Sequence, residues 1–167
     1  MRQFKSFIFE NYWWITPLLG LAIGILWLKG VLGDGHNLFL SLIGGLLSFA
    51  FFVQKQKLDE LKLFRELFKD FNDRYQLLND DLERLANNGR IDAPNDRQIV
   101  VKYFNLCAEE YFWSISGLIP NNVWTAWCRG MEYYLSREPF AQRWESEVKT
   151  GSYYGLTIAK IKAGARA

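Results

Sequence analysis

Glu109 and Glu110, adjacent carboxylates inside the aromatic run AEEYFW, are the residues whose type and spacing come closest to chemistry. Two carboxyls can divide acid and base roles when their surroundings push the two pKa values apart. Consecutive residues on a helix do not share a face, so one should meet water and the other an arginine such as Arg129 or Arg143. Ion pairing is the commoner fate of such groups, because structural pairs outnumber catalytic ones. Around them stand Tyr111, Phe112, Trp113, Trp124, Trp127, Tyr133, Tyr134 and Trp144. These rings can stack on a planar ligand, but a small bundle also needs large side chains for its core. Glu109, Glu110, Trp113, Trp124 and Arg129 together form the candidate ligand or partner surface.

The remaining reactive types lead nowhere further. Cys107 and Cys128 lack metal-ligand spacing and lie among apolar residues, the pattern of small core side chains. His36 is the single histidine and has no second ligand near it in sequence. There is no nucleophile–base pair, no phosphate-cradling glycine loop and no metal-ligand cluster. The expectation is a protein without catalytic residues, metal or cofactor, and therefore not an enzyme.

The elements that must carry these residues begin with two apolar stretches, about 13–32 and 37–53, separated by Asp34-Gly35-His36. Each approaches the ~20 residues a helix needs to cross a hydrocarbon core. Tyr12, Trp13 and Trp14 at one end, and Trp27 with Lys29 at the other, suit the interfacial zones. The first stretch is too long for the apolar part of a signal peptide, and no small-residue cleavage site precedes Asp34. Pro17 is expected in the first turns of its helix, where a missing amide donor costs least. Arg2 and Lys5 precede the pair, and Lys55, Lys57, Lys62 and Arg65 follow it. Positive flanks stay inside, so both termini should be cytoplasmic, at the bacterial inner membrane, with the Asp34–His36 turn facing outward. No ionisable group lies at the centre of either stretch, which argues against transport. Gly20 with Gly24, Ser41 with Gly45 and Gly44 with Ser48 are small residues at helical spacing. They would let backbones approach closely, either between the two spans of one chain or between chains.

From Leu46 to Asn88 there is neither glycine nor proline, so the second span can continue without interruption for on the order of 65 Å. Leu61, Phe64, Phe68, Phe71, Tyr75, Leu78, Leu82 and Leu85 alternate three and four apart, an unbroken heptad seam. Leu58, Leu63, Leu67 and Leu77 widen it, which favours a bundle over a two-stranded coil, although the coil remains open. Asn87-Asn88-Gly89 offers a left-handed end to the helix. A third helix should start from a cap at Asn95 or Asp96 and run to about Ser116. A fourth should run from Pro120-Asn121 to Leu135 or Ser136. Ser136-Arg137-Glu138-Pro139 introduces a short fifth helix, ended by Thr150-Gly151-Ser152. No strand-like alternation occurs, so the expected fold class is all-α. The divisions are a membrane hairpin (1–53), a cytoplasmic helical domain (54–152) and a basic C-terminal tail (153–167). With 20 Lys and Arg against 18 Asp and Glu, the chain lacks the charge excess that nucleic-acid binding draws on.

The run YFNLCAEEYFWSISGLIPNNVWTAWCRGMEYYL (103–135), followed by PFAQRWE and GSYYGL, resembles a widespread family of small bacterial membrane proteins of unknown function. That resemblance implies a two-helix membrane hairpin joined to an all-helical cytoplasmic domain, and brings no catalytic residue with it. In layout and size, though in no shared motif, the chain also resembles the CRISPR-associated membrane effectors that bind cyclic tetra-adenylate and work as tetramers. Two functions are therefore expected in competition. One is a membrane-anchored scaffold that docks a cytoplasmic partner. The other is a ligand-gated homo-oligomeric effector, for example in antiviral defence, that couples a small-molecule signal to membrane perturbation.

Overall fold

The structure, a computed structural model, describes residues 2–31, 36–149 and 151–167. It is all-helical, with no strand among those residues. The elements are α1 (Arg2–Leu28), α2 (His36–Asn88), α3 (Pro94–Ile115), α4 (Asn121–Leu135), α5 (Glu138–Val148) and α6 (Ile158–Arg166). Two compact units divide the chain, Met1–Lys62 and Leu63–Ala167, and α2 contributes residues to both. Leu32, Asp34, Gly35 and Thr150, which enter the expected span end, outward turn and helix stop, lie outside the described residues.

In the first unit, α1 and α2 each contain a segment long and apolar enough to cross a membrane. Gly20 of α1 faces Leu46 of α2 closely enough that a Cβ there would sit 3.5 Å from Leu46 Cδ2. Gly24 and Gly45 have open space instead, and the Ser41 hydroxyl donates to the carbonyl of Asn37 at 2.8 Å. Among the glycines of these pairs, Gly20 has such a neighbour on the other helix, while Gly24, Gly44 and Gly45 have none within 4 Å. Trp27 packs on Phe39 and His36, with ring centroids 5.0 and 5.8 Å apart. The ammonium of Lys57 lies over the Tyr12 ring at 5.1 Å.

Pro17 is not in the first turns. Helix α1 starts near Arg2, so the proline is well inside it. A proline there removes one backbone donor and crowds the preceding turn. The hydroxyl of Thr16 donates to the carbonyl of Tyr12 one turn back, beside the Trp13 carbonyl that the proline leaves without its amide partner.

The second unit is built on the seam of α2. Phe71, Leu82 and Leu85 are buried, and Phe64, Tyr75 and Leu78 are packed beside them. Over this stretch the seam is therefore filled from within the chain. Leu77 on the opposite side is 82% exposed. Gly89, with φ 65°, ends the helix in the left-handed region that only glycine enters at little cost, and its amide bonds the carbonyl of Leu85. Helix α3 starts at Pro94 without a side-chain cap, rather than from Asn95 or Asp96. Asp96 instead accepts from Arg84 at 2.9 Å. The main core gathers Val100, Phe104 and Cys107 of α3, Cys128 and Met131 of α4, and Phe140 and Trp144 of α5. A second cluster joins Phe71, Leu106 and Ile119, with Trp113, Trp124 and Trp127 packed against it.

The segment expected as a basic tail folds onto this core. Tyr153 and Leu156 are buried ahead of α6, and Ile161 and Ala165 are buried within it. Thr157 caps α6, its hydroxyl accepting from the amide of Lys160 at 3.2 Å. Helices α4 and α6 share the most extensive helix–helix contact in the unit, and Gly164 makes a close approach possible. A Cβ at that position would fall 2.5 Å from Cys128 Sγ and 2.9 Å from Trp124 Nε1. Alanine has the higher helix propensity by about 1 kcal/mol, but overpacking a core costs roughly 1–3 kcal/mol. The clash here is with a buried sulfur and an indole, so Gly164→Ala is expected to lower the unfolding midpoint. Thermal melting of the full-length protein checks this, and an unchanged or raised midpoint would refute the packing role.

Candidate functional site

Glu109 and Glu110 take opposite fates on α3. Tyr103, Cys107 and Glu110 recur three and four apart, so Glu110 occupies a position on the buried stripe while Glu109 sits one step off it. Glu109 forms a two-pronged pair with Arg74 of α2: Nη1 donates to Oε2 at 2.6 Å and Nη2 to Oε1 at 3.1 Å. Neither Arg129 nor Arg143 serves as the partner. Arg129 donates through Nε to the carbonyl of Ala165 at 3.1 Å, fastening α4 to α6. Arg143 pairs with Glu147 one turn on, at 2.5 Å. The hydrogen bonds it donates to Glu109 hold the Arg74 guanidinium above its ordinary pKa, so it stays charged throughout the accessible range.

Glu110 is only 7% exposed. Its carboxyl makes no hydrogen bond or ion pair among the described residues. Burial pushes its pKa up from 4.5 to about 8; the charge of Arg74 works against that rise and the charge of Glu109 adds to it. At neutral pH the group is therefore mostly a neutral acid. It borders a cavity of about 220 Å³ between α2, α3 and α4, shared with Asn72, Tyr75, Tyr103, Leu106, Trp127 and Met131. A closed, dry void of that size would cost several kcal/mol at roughly 24 cal/mol per Å³. The exposed Ala126 and Gly130 at its rim open it to water instead.

The aromatic walls are held from behind. Trp127 stacks on Phe68 with centroids 6.0 Å apart and meets Phe71 edge-on at 5.7 Å. Tyr103 packs edge-on to Tyr134 at 5.4 Å, and the hydroxyls of Tyr134 and Tyr75 lie 3.5 Å apart. Desolvation raises the Tyr103 phenol well above its ordinary value, with Cys107 adding to the effect. The two thiols are buried and reduced. Burial raises both, Cys107 well above its ordinary value and Cys128 to about 12, with the charge of Glu110 as the second cause in each case. Neither is a nucleophile in this state.

Of the residues expected at a ligand or partner surface, the structure brings only Glu110 to the cavity wall. Glu109 stands beside it, engaged by Arg74. Trp113 and Trp124 pack against the second core cluster, and Arg129 is tied to α6. Tyr75 reads in sequence as part of the α2 seam and Trp127 as one of the rings for a core or a planar ligand, whereas nothing in the sequence singles out Asn72. The signal that could have found the site is Glu110 itself, a charge in phase with Tyr103 and Cys107. No family profile, characterised protein or solved structure matches the chain.

Because the folded pKa of Glu110 lies above its ordinary value, the native state holds the proton more tightly than the unfolded chain does. Its effect on stability is absent below pH 4.5 and grows as pH rises towards 8, where the folded carboxyl ionises at a cost of roughly 3–5 kcal/mol. Glu110→Gln keeps the shape and removes the titration. The native protein is expected to lose thermal stability between pH 5 and 8, and the variant to lose distinctly less. Parallel slopes for the two proteins would show that Glu110 ionises freely.

Proposed function

We propose that this chain is a membrane-anchored interaction protein without catalytic activity, held by α1 and the first part of α2 in the bacterial cytoplasmic membrane. The observation that carries this reading is the exposure of the apolar segments. None of the α1 window is buried within the protein, and 6% of the α2 window is, at mean hydropathies of 1.3 and 1.8. Leu18, Leu21, Ile25, Leu40, Leu47, Phe51 and Phe52 all face outward. Core helices of a water-soluble protein bury such side chains, and contiguous apolar exposure on this scale needs a lipid or protein covering. The basic residues Arg2, Lys5, Lys55, Lys57 and Lys62 support an orientation with both termini cytoplasmic. The Leu63–Ala167 unit is then the part that meets a cytoplasmic partner. Membership of the small bacterial membrane-protein family that residues 103–156 resemble fits the same arrangement.

A second reading, a ligand-gated oligomeric effector, is favoured by one observation. The helix that supplies Asn72 and Tyr75 to the cavity also carries the second apolar segment. A ligand that prefers one conformation of the cavity would then bias α2.

Alkaline carbonate extraction and reporter fusions test the first reading. The protein is expected to stay in the pellet, with a C-terminal fluorescent fusion bright and a C-terminal alkaline phosphatase fusion inactive. Release into the supernatant would overturn the spanning hairpin, and an active phosphatase would invert its orientation. For the second reading, a Gly-Pro pair inserted after Lys55 is expected to abolish any membrane-permeabilising activity while the protein stays anchored. Permeabilisation unaffected by the insertion would count against coupling through α2.

A further inference from the structure

Three features of the cavity beside Glu110 come together on separate elements. Glu110 of α3, a residue more than nine-tenths buried, supplies a carboxyl that has no hydrogen-bond partner of its own and borders the open cavity. Tyr75 of α2, Tyr103 of α3 and Trp127 of α4 supply aromatic walls, and the exposed Gly130 marks an entrance. A volume of about 220 Å³ lies below the ~300–1,000 Å³ of sites for drug-sized molecules, so the occupant is small. We propose that this cavity binds a small organic cation with N–H donors, an aryl or alkyl primary amine, through an ion pair to Glu110 and contact of its apolar body with the aromatic walls.

The chemistry of the walls selects the charge. A buried carboxyl without donors is completed by a ligand that brings both donors and positive charge. Electron-rich ring faces attract the same cation. An anion would meet Glu110 and the nearby Glu109, and a quaternary ammonium would bring no donor. The groups that face Glu110 leave its pairing capacity free. Arg74 of α2 is engaged by Glu109, Tyr75 of α2 meets Tyr134, and Tyr103, Cys107 and Cys128 stay protonated in the neutral range. The cavity around Arg90, Arg97 and Arg143 has no comparable selectivity, because Asp92 and Glu138 line it too. The amine site belongs to the second unit alone and stands whether the protein is a scaffold or an effector.

Binding breaks no bond to carbon. The ammonium keeps its protons, and the Glu110 carboxyl gives its own to solvent as the ion pair forms. With the free carboxyl titrating at about 8, affinity should rise close to tenfold per pH unit between about pH 6 and 7.5.

Benzylamine is the probe, titrated calorimetrically into the full-length protein in detergent, in two buffers of different ionisation enthalpy. Saturable binding with release of close to one proton at neutral pH is expected, and at least tenfold weaker binding of benzyl alcohol. Glu110→Gln should weaken benzylamine at least tenfold. Gly130→Met should do the same by narrowing the entrance. A Cβ at Gly130 meets nothing within 4 Å, so this variant should keep the native melting temperature and decide the matter if the glutamine variant misfolds. No saturable binding, equal affinity for the alcohol, or full binding by the well-folded Gly130 variant would each overturn the site.

Discussion

The second unit depends on one apolar stripe of α2, from Phe64 to Leu85, and on the size of the side chains that make it. The stripe feeds both core clusters: Leu82 and Leu85 join the main one, and Phe71 joins the other. Its partners across the interface are themselves large, with Trp127 clasped between Phe68 and Phe71 and Tyr103 set against Tyr75. Rings of this size hold helices apart and prefer tilted or edge-on contacts, so they do not tile a layer as closely as aliphatic side chains do. Elsewhere in the unit, α4 and α6 approach closely over Gly164. The unit thus combines a thick aromatic layer with a thin glycine-mediated one. The cavity lies in the thick layer.

That layer also explains why adjacent glutamates differ so much. A single step along α3 turns a side chain by about 100°, enough to move it from the stripe to its edge. Glu109 at the edge reaches Arg74, and both remain partly in contact with water. Glu110 on the stripe takes its carboxyl into the aromatic layer, where desolvation dominates its titration. An ionised Glu110 would place a buried negative charge next to the water-exposed one of Glu109. Retaining a carboxyl at such a position runs against stability, and function is the usual reason for such a departure from packing rules.

Much of the architecture was legible because periodicity and punctuation are local signals. The α2 seam, the stop at Gly89 and the positions of α3, α4 and α5 followed from spacing and from glycine and proline. What escaped depended on tertiary contact. Helix α6 carries Lys160, Lys162 and Arg166 on a short segment, so its composition resembles a solvated tail. Only Ile161, Gly164 and Ala165, set against Cys128 and Trp124, reveal a packed face. Pro17 was misplaced because the helix begins in the polar residues before the apolar stretch, where hydropathy gives no boundary. Arg74, Arg129 and Arg143 are all distant from Glu109 in sequence, and only the packing of α3 against α2 selects Arg74, 35 residues before it, as the partner. Glu110 was singled out from its type, but its burial became readable only in phase with Tyr103 and Cys107.

The two cysteines have a practical consequence. Both are fully enclosed by the core, and both titrate far above the neutral range. Maleimides and spin labels react with accessible thiolates, so the folded chain is chemically silent towards them. A single cysteine introduced on the outer face of α2, at Leu77 for instance, would therefore be the sole reactive handle without removal of the native pair. Distances and motions along that helix become measurable in an otherwise unaltered core.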